Sequence, residues 1–141
     1  MLRRTVLFAT AAALSAAPAL SAGSSELRVP PACVHAVLLD PAVFQRLHTD
    51  QPSRQPLLVS DRHLAAKEID LDVPFRVQIV KSDDPKRAEA FEFMNIVQDE
   101  NETLLVTFKF PPEGLVGRAR VKHGKGLCAV LDRDIYEKGA E

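Results

Sequence analysis

The sequence lacks an excess of charge of either sign. Its 141 residues carry 18 Lys and Arg against 19 Asp and Glu, a formal net charge of −1. Such a balance creates no field that would attract nucleic acid or an anionic membrane surface. Hydrophobic residues at 46% and charged residues at 26% exclude a disordered tail, a collagen-like fibre and a coiled coil. The length leaves room for a single folded domain.

Hydrophobic runs long enough to span a bilayer are also missing. The uncharged stretch at residues 5–20 falls short of the roughly 20 residues that a spanning helix needs. It follows a positive start and precedes small residues around Ala19 and Ala22, which is typical of a secretory signal peptide. We predict a signal peptide at residues 1–22, cleaved after Ala19 or Ala22. Its alanine run and paired arginines indicate a bacterial protein, periplasmic or secreted, without a membrane anchor.

Cysteine is scarce, and the two present lie near opposite ends of the predicted mature chain. No Cys-x-x-Cys motif occurs, and neither Cys33 nor Cys128 has a His, Lys or Arg directly beside it to activate a thiol. In an oxidising compartment only one intramolecular pairing is open to them, so we predict a structural disulfide. The predicted organisation is a flexible start at 23–30, one globular domain at 31–138 and a tail at 139–141.

Helix signals are confined to the start of this domain. Pro30 and Pro31 can open a helix that runs to Leu39, and Asp40 can cap a second one with Pro41 at its first position. Residues 57–59 suggest a short strand. The stretch at 61–68 fits a helical turn or an edge strand, and the pattern does not distinguish them.

From Asp72 onward, apolar residues alternate with a period of two, which is typical of half-buried strands. Turn sequences of about four residues separate the segments, as in an antiparallel meander. The predicted strands cover residues 73–79, 89–98, 104–110, 115–122 and 127–135. We predict an α+β fold in which an N-terminal helix packs on a curved, mainly antiparallel meander of five to six strands.

The last strand has two alternative registers. Leu127 and Leu131 suggest that odd positions face the core, whereas the disulfide requires Cys128 to face the helix. Either Cys128 and Val130 face the helix, or a bulge at Gly126 resets the register. We favour the first alternative.

The order of elements, helix first and curved antiparallel sheet after, resembles the cystatin-like and NTF2-like folds. The final hairpin, residues 117–121 through 124–127, is similar to the closing hairpin of many NTF2-like domains. Those domains often place Trp where Leu127 or Cys128 stands, and they carry more N-terminal helix. The resemblance implies a fold and not a function.

Motifs for catalysis and metal binding are missing. The four histidines lack metal-ligand spacing, so no metal site is predicted: His35, His48, His63 and His123. No Gly-x-Ser-x-Gly elbow or phosphate-binding glycine loop occurs, so we predict no catalytic residue and no cofactor. Residues 60–63 bring Ser, Asp, Arg and His together, but adjacent residues rarely point at one centre. A hydrolase or isomerase with His63 or His35 as base is the least favoured function.

One basic row stands out on the predicted sheet. Arg118, Arg120 and Lys122 share one face of a strand, and Lys109 or Lys125 can extend the row. Such a row can bind an acidic partner, and the alternative is a solvated outer face that protects the sheet from association. On the first interpretation, reversing Arg118 and Arg120 to Glu abolishes partner binding without unfolding the domain.

These features favour a binding module, for example an inhibitor or immunity-type protein that blocks an envelope enzyme or toxin. The alternative is a small-ligand carrier with an apolar pocket. The candidate pocket residues are the phenylalanines of the central strands: Phe91, Phe93, Phe108 and Phe110. The expected partner is accordingly a protein or a small ligand, and not a nucleic acid.

Overall fold

The computed structural model describes residues 27–66, 71–100 and 102–137. The predicted signal peptide and the predicted tail lie outside the described residues. The helices are α1 (Pro31–Leu39) and α2 (Pro41–Leu47), and the strands are β1 (Leu57–Ser60), β2 (Val77–Val80), β3 (Glu92–Glu100), β4 (Thr103–Phe110), β5 (Leu115–Gly124) and β6 (Leu127–Glu137). Short 3-10 turns lie at Pro52–Arg54, Pro85–Glu89 and Pro111–Glu113.

The two helices begin where the proline signals predict. Pro31 opens α1, and Asp40 ends it while capping α2 by accepting a hydrogen bond from the Ala42 amide at 3.2 Å. The second helix ends at His48, whose φ of 55° is left-handed. In the described ranges neither helix is long and apolar enough to cross a membrane.

The helices pack on an antiparallel sheet, so the broad α+β prediction is confirmed. The sheet has four strands in the order β3-β4-β5-β6, each paired with the next along the chain. Helix α1 contacts β6 and β5. Alternate residues of β4 and β5 face the helices and are buried, as the period of two predicts.

The predicted meander of five to six strands includes a first strand that is not part of the antiparallel sheet. Residues 73–76 are not in a strand, and β2 pairs in parallel with β1 rather than with β3. The cause lies between β2 and β3, where Asp84 caps the 3-10 turn at Pro85–Glu89. The connection from Val80 to Glu92 runs through this turn and is longer than a hairpin loop of about two to five residues, so β2 and β3 are not joined as a hairpin.

Of the stretch at 61–68, the structure describes residues 61–66, and these form neither a helical turn nor a strand of more than one residue. Leu64 makes a single parallel bridge to Val29 after a turn at residues 62–63. The end of this stretch, at 67–70, lies outside the described residues. A similar single bridge between Val59 and Phe91 joins β1 to the residue just before β3.

A bulge in β6 sets the register of the last strand. Arg120 pairs with Asp132 and the next residue, Val121, pairs with Val130, so Leu131 is the extra residue. Cys128 and Val130 face the helices, as in the favoured alternative. The bulge lies at Leu131 and not at Gly126.

Three links hold the helices along β6. The Cys33 and Cys128 sulfurs form a disulfide with Cα atoms 5.0 Å apart. Arg133 Nη2 lies 2.8 Å from Asp40 Oδ1, whose side chain is only 4% exposed, and Arg46 Nε lies 3.3 Å from Glu137 Oε2. The links follow β6 from one end to the other and therefore fix the helical layer against the strand.

Candidate binding surface at the tip of the last hairpin

The residues considered for catalysis make contacts that support the fold. Ser60 is fully buried, and its Oγ accepts a hydrogen bond from the Arg62 amide at 3.2 Å. His63 Nδ1 lies 2.8 Å from the Phe93 carbonyl oxygen, which ties the turn after β1 to β3. His35 Nε2 lies 3.0 Å from the Asp72 carbonyl oxygen. Each of these two histidines therefore meets a backbone carbonyl oxygen rather than a carboxylate.

Metal-ligating side chains do not gather in the described part of the chain. Across residues 27–66, 71–100 and 102–137, no group of three His, Cys, Asp or Glu side chains is placed to hold a metal ion.

The four phenylalanines predicted to line a pocket lie together, but their rings pack against one another. Phe91, Phe93 and Phe108 are fully buried and Phe110 is 2% exposed. The Phe91 ring centroid lies 5.4 Å from Phe93, 5.3 Å from Phe108 and 6.3 Å from Phe110. These separations are those of packed aromatic pairs, so the rings fill the space between sheet and helices. Phe110 also borders a small cavity of about 80 Å³.

The two arginines of the basic row face aspartates. Arg118 Nη2 lies 3.4 Å from Asp134 Oδ2, and Arg120 Nη2 lies 2.6 Å from Asp132 Oδ2. The hydrogen bond and charge of Asp132 raise the pKa of Arg120, with a smaller contribution from Asp99. The middle of the row is therefore electrically neutral. The sequence did not predict this pairing because it depends on the register between β5 and β6.

The two lysines of the row, Lys109 on β4 and Lys122 on β5, are not neutralised by carboxylates in the described residues. Lys109 is in register with Glu92 on one side, but that carboxylate binds Arg62 at 2.9 Å. Lys122 is in register with Ala129 across the last hairpin. In the part of the chain that the structure describes, neither lysine has an ion-pair partner. Lys122 thus carries free positive charge toward the end of the hairpin.

An open groove of about 500 Å³ lies at that end. We call it the hairpin groove. Its lining is mostly apolar and includes two exposed leucines: Leu127 is 75% and Leu131 49% exposed. The lining residues are Glu102, Lys122, His123, Gly124, Lys125, Leu127, Cys128, Ala129 and Leu131.

Local backbone geometry explains why these leucines face solvent. Lys125 and Gly126 have φ values of 55° and 76°, the left-handed pair that makes a two-residue hairpin turn. Leu127 follows this turn directly, with the core-facing Cys128 next to it. Leu131 is the bulge residue, and a bulge leaves its extra residue outside the regular alternation.

Neighbouring elements support the groove on two sides. The His123 amide donates a hydrogen bond to the Glu102 carbonyl oxygen at 2.8 Å, which links the β3–β4 turn to the hairpin. On the helix side of the tip, a second depression of about 440 Å³ is bordered by α1 and also reaches Leu127. Leu127 and Cys128 therefore line both depressions.

This arrangement can bind a partner without catalysing a reaction. An apolar surface near two lysines accommodates an apolar side chain and pairs with carboxylates around it. The sequence did not predict this site because Leu127 and Leu131 looked like core residues. The sequence signal was the alternation of side chains along a strand. If Cys128 faces the helix to form the disulfide, its neighbour Leu127 must lie on the opposite face.

A scan of protein-family models and searches of curated proteins and of solved structures found no match to this chain.

Proposed function

We propose that this protein is a binding module that recognises another protein through the hairpin groove. The observation that carries the proposal is the 75% exposure of Leu127 beside Leu131 and Lys122, a lysine without an ion-pair partner among the described residues. A single exposed leucine needs no explanation, but an apolar groove with a charged rim is typical of an interaction site. The rest of the outer sheet face at Arg118 and Arg120 is neutralised by aspartates.

The proposed setting is the periplasm or the outside of a bacterial cell. Support comes from the signal-peptide pattern at residues 1–22 and from the pairing of Cys33 with Cys128. The finer fold class that we propose is cystatin-like or NTF2-like, supported by a helical layer on an antiparallel sheet that ends in a long hairpin.

Within this class, we propose an inhibitor or immunity-type role against an envelope enzyme or toxin. Such proteins bind best with a surface that is already rigid in the free state, because little entropy is then lost on binding. The links from Cys33 to Cys128 and from Asp40 to Arg133 support a rigid hairpin base.

Carriage of a small ligand has less support. A carrier typically encloses most of its ligand's surface in a cavity. The aromatic cluster around Phe91 fills the interior, and the hairpin groove is open to solvent. Both observations favour a macromolecular partner over an enclosed ligand.

Affinity capture tests the proposal. Mature protein, residues 23–141, is immobilised and exposed to an envelope extract of its own organism, and retained proteins are quantified by mass spectrometry. We expect one stoichiometric protein partner for the wild type and at least a tenfold smaller recovery for Leu127→Asp, because a buried carboxylate in the groove costs several kcal/mol.

The matched control is Val97→Asp, at a residue that is 46% exposed on β3 and outside the groove. It should recover as much partner as the wild type, and thermal melts of all three proteins check folding. Equal recovery by Leu127→Asp, or no stoichiometric protein with the wild type, would reject the proposal.

A further inference from the structure

The hairpin groove has a charge opposite to that of the whole chain. The chain's formal net charge is −1, whereas the groove lining holds Lys122 and Lys125 against one carboxylate, Glu102. Neither lysine has an ion-pair partner in the described residues. This local excess indicates a ligand that brings carboxylates rather than one that is purely apolar.

A second copy of the chain fits this surface poorly. Most homodimers are two-fold symmetric, so the same patch meets itself across the axis. A two-fold contact through the hairpin groove would place its lining, with two lysines and one carboxylate, against the same net positive lining of the other copy. Like charges placed together at an interface oppose association, so a different protein is favoured.

The adjoining strand edge indicates the shape of the ligand. In the described chain β6 pairs with β5 on one side and with no strand on the other. An open strand edge can accept an extended peptide as a further strand. The bulge at Leu131 interrupts this edge, and a bulge discourages the pairing of a further strand beyond it. Residues 127–131 therefore form the accessible edge, next to the groove.

We infer that the partner supplies an extended segment in which acidic residues flank one large apolar side chain. The apolar side chain lies in the hairpin groove against Leu127 and Leu131, and the carboxylates pair with Lys122 and Lys125. This inference rests on the proposed function and names the partner chemistry of the same site. Apolar contact supplies most of the affinity, and the lysines select acidic over basic segments.

Peptide selection tests this chemistry while the partner itself is still unidentified. A phage-displayed library of random dodecapeptides is selected on immobilised wild-type mature protein, with Leu127→Asp protein as the subtraction target. We expect enriched peptides to combine Asp or Glu with a Leu, Ile, Phe or Trp between them. No enrichment over the Leu127→Asp protein, or enrichment of neutral or basic peptides, would overturn the inference.

Charge reversal gives the quantitative test. The most enriched peptide is synthesised with a fluorophore, and its dissociation constant is measured by anisotropy. Lys122→Glu/Lys125→Glu should weaken binding by about tenfold or more, because attraction becomes repulsion at two positions. The matched control, Lys81→Glu/Lys86→Glu, changes two exposed lysines beyond β2 and should stay within about twofold of the wild type.

The two proposals fail in distinguishable ways. If extract capture depends on Leu127 but the peptide and the captured partner ignore the lysine reversal, the binding function stands and the acidic-segment inference is wrong. If extract capture is unchanged in Leu127→Asp, the binding function at this groove itself is wrong.

Discussion

Arg120 and Asp132 face each other across β5 and β6, with Nη2 of the arginine 2.6 Å from Oδ2 of the aspartate. Lys122 is the next residue of β5 on the same face, closer to the hairpin turn. It lies opposite Ala129 and so has no acidic residue opposite it on β6. The outer face thus changes from neutral to positive over a short distance. This change separates the ionic part of the sheet from the hairpin groove.

Reversal of both arginines tests whether the ionic part is structural. In Arg118→Glu/Arg120→Glu, two attractive cross-strand pairs become repulsive pairs with Asp134 and Asp132. We expect the midpoint of urea denaturation to fall modestly, because exposed ion pairs contribute little, and partner recovery to stay within about twofold.

Adding Asp132→Lys/Asp134→Lys to that variant restores opposite charges with their positions exchanged, and should recover most of the lost stability. If the double reversal instead abolishes partner recovery while the protein stays folded, the arginine row and not the groove is the interface.

The disulfide provides a second prediction. Cys33 and Cys128 are 95 residues apart, and closing a long loop restricts the unfolded chain. Cys33→Ser/Cys128→Ser should lower the free energy of unfolding by about 2–4 kcal/mol in urea denaturation. Wild-type protein treated with reductant should match the variant. A loss below about 0.5 kcal/mol in both would show that the other links along β6 suffice.

A close approach at Gly117 gives the third prediction. A Cβ at this position would lie 2.9 Å from Phe108 Cζ and 3.0 Å from the Asp134 carbonyl oxygen. Both neighbours are constrained, one by the aromatic core and one by the β6 backbone. Gly117→Ala should therefore destabilise the protein by about 1–3 kcal/mol, measured by thermal and urea unfolding.

The matched control is Gly124→Ala, in the same strand. Its Cβ would approach Glu102 Oε2 at 3.2 Å, and that flexible side chain can move. We expect a loss within about 0.5 kcal/mol there. Equal losses at the two glycines would contradict the packing of Phe108 against β5.

The pH dependence of stability tests the cluster around Glu113. Burial alone raises the pKa of this carboxyl, but hydrogen bonds from Arg54 and His48, together with their charges, lower it below the ordinary value of 4.5. The Arg54 Nε lies 2.6 Å from Glu113 Oε2. Because the unfolded carboxyl binds a proton more readily, the stabilisation is present above the unfolded pKa and is lost as pH falls through the folded pKa.

Glu113→Gln should therefore destabilise the protein near neutral pH, and the difference from wild type should shrink as the pH is lowered from neutral to below the unfolded value of 4.5. Urea denaturation at several pH values measures it. A difference that stays constant across this interval would mean that the carboxylate charge contributes nothing.

The parts of the fold that rest on local signals were predictable from sequence. Pro31 and Asp40 mark the helix starts by capping chemistry, and alternation marks β4 and β5. The parallel pairing of β2 with β1 was not predictable, because the alternation of residues within a strand does not specify which strand lies beside it. The exposure of Leu131 depends on a bulge, which no residue type at that position requires.

For the candidate site residues as well, the sequence predicted some properties and not others. Alternation along β5 puts Arg118 and Arg120 on one strand face, but their neutralisation depends on which β6 residues stand opposite. Apolar character indicates an interior position for Phe91 and Phe108, and only their mutual distance decides between a lined pocket and a packed core. Both properties depend on tertiary contacts, which a periodic sequence pattern does not specify.

Hydrogen–deuterium exchange of the mature protein with and without its captured partner tests the central claim most directly. Binding through the hairpin groove predicts slowed amide exchange at residues 122–131, with β1 and β2 unchanged. Protection confined to β1, β2 or the helices, with residues 122–131 exchanging as in the free protein, would contradict the account.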